Sequence, residues 1–249
     1  MIIRYLYHSG FSIEGDGFTI VIDAYDTHCQ GAPSKEKGVV AQDLLQRPGR
    51  FYALASHGHG DHFDPVMLQW HVQRPDIQYL FSSDIRSNRY AAKVRFIRYM
   101  DPYERYADNC IRVETFGSTD AGVSFVIQAG GKTLFHAGDL NNWHWNEEAD
   151  DVYAQKAEAD YLRELDRIVQ TYPHLDAAMF PVDPRLGRDF ARGAEQLMAR
   201  ADVSLLLPMH FREHPDAPQQ LKALHPDWPI VTWTHRGQTV LLPSVEQKG

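Results

Sequence analysis

The chain has 249 residues, of which 43% are hydrophobic and 12% aromatic, and its formal net charge is −8 at pH 7. This composition is typical of a globular protein and excludes a disordered chain. The acidic balance argues against a general polyanion binder, and no apolar run approaches the ~20 residues that a membrane-spanning helix needs. Two cysteines, Cys29 and Cys110, exclude a disulfide scaffold and favour a reducing cytoplasm.

The first third of the chain is predicted to form short strands joined by turns, at residues 2–7, 10–14 and 18–23. The turn Gly15-Asp16-Gly17 favours a hairpin, because Asp-Gly matches the twist of antiparallel strands. Residues 26–40 are predicted as an exposed loop. A strand-like run stands at the very start, so we do not expect a secretory signal peptide.

Four metal-competent side chains then follow the apolar run 51–55 within six residues, namely His57, His59, Asp61 and His62. Histidines two positions apart cannot share a helix face, but they can converge from a strand end or a loop. The glycines between them allow the backbone to turn tightly round an ion. Imidazoles and carboxylates are the ligands that zinc and similar divalent metals prefer. The pattern therefore predicts a metal site rather than a histidine-rich surface loop.

The rest of the chain is predicted to alternate helices and strands. Helices are expected at residues 64–72, 84–92, 147–172, 188–200 and 217–224, and strands at 78–81, 94–98, 110–115, 122–128, 132–136, 176–180, 203–207, 229–233 and 238–242. Hairpins in the first half and alternation in the second predict an α/β fold, a four-layer αββα sandwich. Two mixed sheets would pack face to face with helices outside, in a single domain of residues 1–249.

Three further polar segments follow strand-like runs. Asp23 follows residues 19–22, the segment from His136 to Asp139 follows 133–135, and His210 comes shortly after 205–207. Strand ends meet at one edge of an open sheet, which is where such sheets usually keep their active sites. We therefore expect these side chains to lie near the histidine segment.

These segments resemble the metallo-β-lactamase superfamily, and more closely its branch of ascorbate-6-phosphate-lactonase-like metal-dependent hydrolases. The matching pieces are Ile22-Asp23, Ser56 to His62, Phe135 to Asp139 and Leu207 to His210. The resemblance implies a pair of metal sites whose ligands would be His57 and His59 for the first ion, Asp61, His62 and His210 for the second, and Asp139 between them. It also implies that Asp23 orients the histidine loop, since outer hydrogen bonds fix imidazole tautomers.

The chain departs from the family pattern at the first metal, to which the family usually supplies a third histidine. The corresponding segment, residues 114–120, contains no histidine. Asp120, His136 or His144 could serve instead; otherwise the first site is weak and one ion is held tightly. The expected cofactor is therefore one or two divalent ions, zinc before manganese or iron.

The function that follows is a metal-dependent hydrolase acting on a small, anionic ester, lactone or phosphoester. A metal-activated water would attack, and Asp61 would hold that water or take its proton as the catalytic base. Arg185 could grip a phosphate or carboxylate, or form a surface ion pair. His8 and Trp143 could line the pocket, or be an ordinary turn residue and a core anchor.

Two alternatives belong to other functional classes. A nuclease or phosphodiesterase of the same fold is disfavoured by the acidic balance and the lack of a basic tract. A non-catalytic metal-binding or sensing module is motivated by the missing histidine. The expected partner is a small-molecule substrate, with neither nucleic acid nor a membrane, and the pattern gives no indication of the oligomeric state.

Overall fold

The structure, a computed structural model, describes residues 1–26, 28–212 and 214–243. Its strands are β1 (Ile2–Tyr7), β2 (Gly10–Gly15), β3 (Phe18–Ile22), β4 (Arg50–Ala55), β5 (Gln78–Ser82), β6 (Ile97–Met100), β7 (Arg105–Ala107), β8 (Ile111–Phe116), β9 (Ser124–Ala129), β10 (Lys132–His136), β11 (His174–Leu175), β12 (Ala177–Pro181), β13 (Asp202–Val203), β14 (Leu206–Met209) and β15 (Thr239–Leu241). The helices are α1 (Gln42–Leu45), α2 (Trp70–Gln73), α3 (Asp151–Thr171), α4 (Arg192–Met198) and α5 (Ala217–Leu224). Short 3₁₀ turns cover Lys35–Lys37, Pro65–Gln69, Ser83–Ser87, Ala91–Lys93 and Pro184–Asp189.

Two large mixed sheets form the centre of the fold. The seven-stranded sheet has the order β15-β1-β2-β3-β4-β5-β6, and the six-stranded sheet has the order β14-β12-β10-β9-β8-β7. Strands β3 to β6 run parallel, and so do β10, β12 and β14. The carboxyl ends of each parallel set therefore share one edge of their sheet, the position at which open sheets usually bind ligands.

Side-chain alternation along the parallel strands separates two hydrophobic cores. In β3 and β4, Ile20, Ile22 and Leu54 belong to the core that also contains Phe125 of the other sheet. The intervening residues of the same strands belong to a second core with α1 and α2; among them are Val21, Ala53 and Ala55. Successive strand residues point to opposite faces, so the first core lies between the sheets and the second beneath outer helices. This arrangement confirms the four-layer αββα fold.

Helix α3 supplies an outer layer of the six-stranded sheet. Its buried side chains include Tyr161, Leu165 and Ile168, whose spacing places them on one face of the helix. The helix begins at Asp151 rather than at 147, because the Asp150 side chain accepts a hydrogen bond from the Tyr153 N–H at 2.8 Å and caps it. Within the described residues, no helix combines the length and the apolarity that crossing a membrane requires.

Three predicted helices are wrong in extent. The segment 84–92 forms two 3₁₀ turns, since the Asn88 side chain accepts the Tyr90 N–H at 2.9 Å and diverts the backbone. The segment 188–200 starts as a 3₁₀ turn that Gly187 interrupts with φ of 72°, and only Arg192–Met198 is α-helical. The segment 64–72 is a capped 3₁₀ turn followed by the short α2.

The predicted strand at 229–233 is also wrong, because only Ile230 bridges to Leu206. Leu206 exchanges backbone hydrogen bonds with Pro229 and Val231 at 2.9 and 3.0 Å. The next donor in a parallel ladder would be the N–H of Pro208, which proline lacks, so the pairing stops there. The predicted strand 203–207 divides into β13 and β14, and the short edge strand β7 was not predicted.

Candidate metal centre

The predicted site residues meet where parallel strands of both sheets end. Asp23 follows β3, the histidine loop follows β4, Asp139 lies three residues beyond β10, and His210 follows β14. His8 reaches the same edge from the turn between β1 and β2, and its carbonyl accepts the His210 N–H at 3.2 Å. Segments far apart in sequence are thus gathered at one edge.

Two groups of potential ligands lie side by side at this edge. The first contains His57, His59 and Asp139, and the second contains His8, Asp61, His62 and His210; within each group the ligand atoms lie within 4.8 Å of one another. Asp139 touches both groups. Its Oδ2 is 3.4 Å from His57 Nε2, while its Oδ1 is 3.1 Å from His62 Nε2 and 3.3 Å from His210 Nε2. A carboxylate in this place is suited to bridge two ions.

The donor atoms at the centre fit a metal ion. Among the described residues, His57 Nε2, His62 Nε2 and Asp139 Oδ1 are buried and have no hydrogen-bond partner of acceptable geometry. Buried polar atoms are normally satisfied, so a cluster of unsatisfied atoms aimed at one another requires an explanation. Imidazole nitrogens and carboxylate oxygens are ligands of zinc and other divalent transition metals. A cation between them would satisfy all three atoms.

Hydrogen bonds from the outer side orient the imidazoles. His62 Nδ1 donates to Asp23 Oδ2 at 2.7 Å, and Ser56 Oγ donates to the same carboxylate oxygen at 2.6 Å. The Ser56 oxygen in turn accepts from His57 Nδ1 at 3.0 Å. His210 Nδ1 donates to Asp183 Oδ2 at 2.9 Å. Each ring thereby keeps the lone pair of its Nε2 for the centre, as is typical of metal-binding histidines.

The electrostatics of the centre favour positive charge. Burial alone would lower the pKa of His62, but the carboxylates of Asp23 and Asp139 raise it to about 10. Burial would raise the pKa of Asp139, whereas the neighbouring His62 and His210 hold it well below its usual range. The buried carboxylates of Asp23 and Asp139 thus favour a positively charged neighbour, and a divalent metal ion would meet that preference as well as a protonated histidine does.

Asp61 and His8 close the outer side of the second group. Asp61 Oδ2 lies 3.4 Å from His8 Nε2 and forms an ion pair with Arg212. Burial would raise the pKa of Asp61, but His8, His62 and Arg212 hold it well below its usual range. Burial lowers the pKa of His8 to about 4, which leaves the ring neutral at pH 7 and able to bind a metal.

The substitutes expected for the missing first-site histidine differ in position. Asp120 Oδ2 is 3.7 Å from His59 Nδ1, and both side chains are more than half exposed. His136 is instead engaged by the backbone, since its Nε2 lies 2.8 Å from the Ser9 carbonyl and its Nδ1 accepts the Gly138 N–H at 3.2 Å. The structure thus places Asp120 beside the first group and does not bring His136 into it.

His144 is also used elsewhere. Its Nε2 lies 3.2 Å from the Asp189 carbonyl, and its Nδ1 accepts the Asn146 N–H at 3.1 Å. Neither His144 nor His136 belongs to the two ligand groups found among the described residues. These contacts conflict with the expectation that His136 or His144 replaces the missing histidine, because a ring whose two nitrogens are hydrogen-bonded has no free lone pair for a metal.

The backbone around the centre adopts conformations that are rare outside glycine. His8, Asp23 and His210 have φ of 54°, 48° and 65°. Such strain costs about 1–3 kcal/mol per residue and persists where the surrounding structure holds it, often at functional sites. Gly122 also has positive φ, and a Cβ there would lie 2.0 Å from the Ser56 carbonyl oxygen. The loop before β9 therefore packs directly on the histidine segment.

A cavity of about 220 Å³ opens beside the second group, lined by His8, Asp183, Arg185, His210, Phe211, Arg212 and His214. Arg185 pairs with Asp183 and stands 5.9 Å over the Trp145 ring, so it lies in the cavity wall while forming an ion pair. Trp143 is buried against His210 at 5.4 Å between ring centres and donates to the Asp139 carbonyl at 2.8 Å. It packs behind the ligands rather than lining the cavity.

Sequence reasoning missed three contributors to this site. Asp183 was not predicted as a site residue, although it lies two residues beyond the buried strand β12, much as Asp23 follows β3, and that signal could have identified it. Ser56 gave no separate signal, since its role depends on contacts to Asp23 and His57. Arg212 was not singled out, and its pairing with Asp61 spans 151 positions of sequence.

Comparison with known proteins identifies the family of the chain. Residues 2–162 match the family described as the Beta-lactamase superfamily domain, which is well over half of the chain. The chain therefore belongs to the metallo-β-lactamase superfamily. A UPF0173 metal-dependent hydrolase of Symbiobacterium thermophilum is 25% identical over 223 residues, which cover 86% of each chain. The predicted superfamily is confirmed. The prediction of a metal-dependent hydrolase is also confirmed, because the relative carries that name, which specifies no substrate.

Solved structures show the same fold. A metallo hydrolase from Ignicoccus hospitalis superposes with a TM-score of 0.65 at 16% identity, covering 96% of this chain and 97% of that one. A diiron β-hydroxylase from Streptomyces venezuelae also gives 0.65 at 12% identity, covering 96% of this chain and 53% of that one. At these identities the likeness concerns the architecture alone.

Proposed function

We propose that the protein hydrolyses a small anionic ester, lactone or phosphoester with the help of two divalent metal ions. The observation that carries the proposal is the convergence of unsatisfied donors, His57 Nε2, His62 Nε2 and Asp139 Oδ1, in one buried centre. His57, His59 and Asp139 would hold the first ion, with Asp120 beside them. The second would be held by Asp61, His62, His210 and Asp139, with His8 close to the same position. Zinc is the ion that this ligand set favours, ahead of manganese and iron.

The chain's own residues would orient the metal-binding histidines and position the attacking water. When bound, the ions would lower the pKa of water towards neutrality and polarise a carbonyl or phosphoryl oxygen. Asp23 and Asp183 would keep the Nε2 atoms of His62 and His210 directed at the centre. Asp61 Oδ2 stands at the solvent side of the second group, where it would hold the attacking water by accepting a hydrogen bond from it. His8, neutral at pH 7, lies 3.4 Å from Asp61 Oδ2 and would offer its ring nitrogen to the second ion.

The cavity beside His210 supports a small anionic substrate. Its volume of about 220 Å³ lies below the roughly 300–1,000 Å³ of pockets for drug-sized ligands. Arg185 and Arg212 line it, and a guanidinium can bind a carboxylate or phosphate through two parallel hydrogen bonds. The narrower likeness to ascorbate-6-phosphate lactonases stays a prediction, to which this pair of arginines lends support.

A metal-reconstitution series tests the proposal. Protein stripped with a chelator and reloaded with zinc, manganese or iron is assayed on a panel of anionic esters, lactones and phosphoesters. We expect turnover only after reloading, and we expect Asp61→Ala to abolish it. The matched control Asp160→Ala changes a partly exposed carboxylate on α3 and should keep full activity. Turnover by the stripped protein would contradict the proposal, and full metal occupancy without turnover would favour a metal-binding module.

A further inference from the structure

The segment before and along the edge strand β6 carries an unusual local charge. Residues 85–100 include five of the chain's 25 lysines and arginines and no acidic residue, although the whole chain carries −8. These residues, named here the basic strip, are Arg86, Arg89, Lys93, Arg95 and Arg98. All five are exposed. The chain therefore has one exposed segment whose local charge opposes its net charge.

The charges of the basic strip are largely unneutralised. Among the described residues, only Arg98 has a carboxylate within 4 Å, Glu104 at 3.9 Å. Arg86 stands 4.9 Å over the Tyr99 ring, and Arg89 stands 4.6 Å over the Tyr90 ring. Stacking on an aromatic ring orders a guanidinium without consuming its hydrogen-bond donors. Arg89 also donates one N–H to the Tyr90 hydroxyl at 2.6 Å. Its other N–H groups, and those of Arg86, have no partner in the part of the chain that the structure describes and are available to phosphate groups.

Two exposed aromatic rings lie among these cations. Phe96 is 52% exposed and Tyr90 is 43% exposed, although large aromatic side chains usually bury most of their surface. Tyr90 and Lys93 line a groove of about 450 Å³ together with the 3₁₀ turn that follows Asp64. Exposed rings beside cations form the kind of surface on which unpaired bases stack while their phosphates are neutralised.

The basic strip begins next to the metal centre. Asp84, directly before it, accepts the Gly58 N–H of the histidine loop at 2.8 Å. Charges on an edge strand also block unwanted strand pairing, whatever their sign. That role needs neither exposed rings nor the cations Arg86, Arg89 and Lys93, which precede β6. The combination of one sign of charge with exposed rings indicates a polyanionic partner that carries aromatic groups.

We infer that the basic strip binds single-stranded nucleic acid, with phosphates on its cations and bases on Tyr90 and Phe96. The surface is separate from the cavity at His210, so the inference does not depend on the proposed hydrolysis. The expectation that nucleic acid is not a partner was based on the net charge and on the apparent lack of a basic tract. The net charge of the whole chain conceals the local excess at residues 85–100.

The experiment is a salt titration of fluorescence anisotropy with a labelled 20-nucleotide oligouridylate and the full chain. If about four phosphates are neutralised, log Kobs should fall with log salt at a slope of about −3. The triple variant R89Q/K93Q/R95Q should weaken binding at least tenfold and flatten the slope by about 2. The control triple K156Q/R163Q/R200Q, on the α3 and α4 side, lowers the net charge equally and should leave binding unchanged.

A second variant separates stacking from charge. Y90A/F96A should weaken oligouridylate binding about tenfold while leaving the salt slope unchanged. This variant also tests the inference if the triple variant folds poorly. The inference is overturned by no binding at 50 mM salt, or by equal losses in the two triple variants. It is also overturned by equal or tighter binding to phosphatidylserine vesicles, which would indicate a membrane surface.

Discussion

Asp183 accepts a hydrogen bond from Nδ1 of His210 across 2.9 Å, and both side chains are at most 4% exposed. Because the carboxylate fixes the proton on Nδ1, the lone pair of His210 Nε2 faces Asp139, which lies 3.3 Å away. Asp23 does the same for His62 in the opposite sheet. Each sheet thus contributes one histidine with its own orienting carboxylate.

Removing the Asp183 carboxylate should weaken the metal centre without unfolding it. We expect Asp183→Ala to lower zinc affinity by about 10–100-fold, the range seen when such outer partners are lost. Competition with a chromophoric chelator measures this. Arg185→Ala is the matched control, because it removes the other partner of Asp183 and leaves the contact to His210 intact. Equal affinities for the two variants would show that Asp183 does not orient His210.

Metal loading should stabilise the fold. A ligand at a thousand times its Kd adds about 4 kcal/mol to the free energy of unfolding, which for a chain of this size raises Tm by about 8–16 °C. We expect zinc to produce such a shift in differential scanning calorimetry and a chelator to reverse it. His59→Ala should lose only part of the shift, since His59 belongs to the first group alone, whereas Asp139→Ala should lose nearly all of it.

Gly122 should not tolerate substitution, because a larger side chain would collide with the histidine loop. Gly17 provides a control in which the backbone conformation is similar but no collision occurs. Both Gly122 and Gly17 have positive φ, but a Cβ at Gly122 meets the Ser56 carbonyl at 2.0 Å, whereas a Cβ at Gly17 meets nothing within 4 Å. Gly17→Ala should cost about 1 kcal/mol of conformational strain. Gly122→Ala should cost at least about 2 kcal/mol more and reduce metal content, as measured by urea unfolding and elemental analysis. Similar costs at the two positions would contradict the close packing on the histidine loop.

Asp108 should make the stability of the protein depend on pH. Burial alone would raise its pKa, but hydrogen bonds from the Tyr52 hydroxyl at 2.6 Å and the Cys110 and Ile111 N–H groups lower it. A lowered pKa means that the stabilisation is present above the unfolded-state pKa of about 3.9 and is lost as pH falls through the folded-state value. Asp108→Asn should therefore cost about 2 kcal/mol at pH 7 and progressively less below pH 4. A cost that does not change between pH 7 and pH 3 would contradict this.

The parts of the site that sequence predicted are local ones. The spacing of His57, His59, Asp61 and His62 encodes a convergent loop within six residues, and strand-like runs before Asp23 and His210 predict where those side chains emerge. Both signals need only alternation along a strand and the common edge of parallel strands. They required no knowledge of how the two sheets are placed relative to each other.

The parts that sequence could not supply depend on long-range contacts and backbone strain. His8 joins the second ligand group because its turn is hydrogen-bonded to the His210 backbone, about two hundred positions away. His136 does not belong to the first ligand group, because its Nε2 lies 2.8 Å from the Ser9 carbonyl and is engaged there. The positive φ of His8 and His210 is uncommon outside glycine, although histidine adopts it more often than most residues, and the hydrogen bond between the two turns accompanies it. Helix lengths failed for a different reason, because side chains such as Asn88 divert short segments locally.

The most direct test of the account is anomalous diffraction at the zinc edge from crystals of the zinc-loaded chain. We expect two peaks flanking Asp139, one within bonding distance of His57 and His59 and the other of His62 and His210. A single peak at the second group would remove the first ion from the proposal. No peak at either group, with zinc found only elsewhere on the chain, would contradict the metal centre itself.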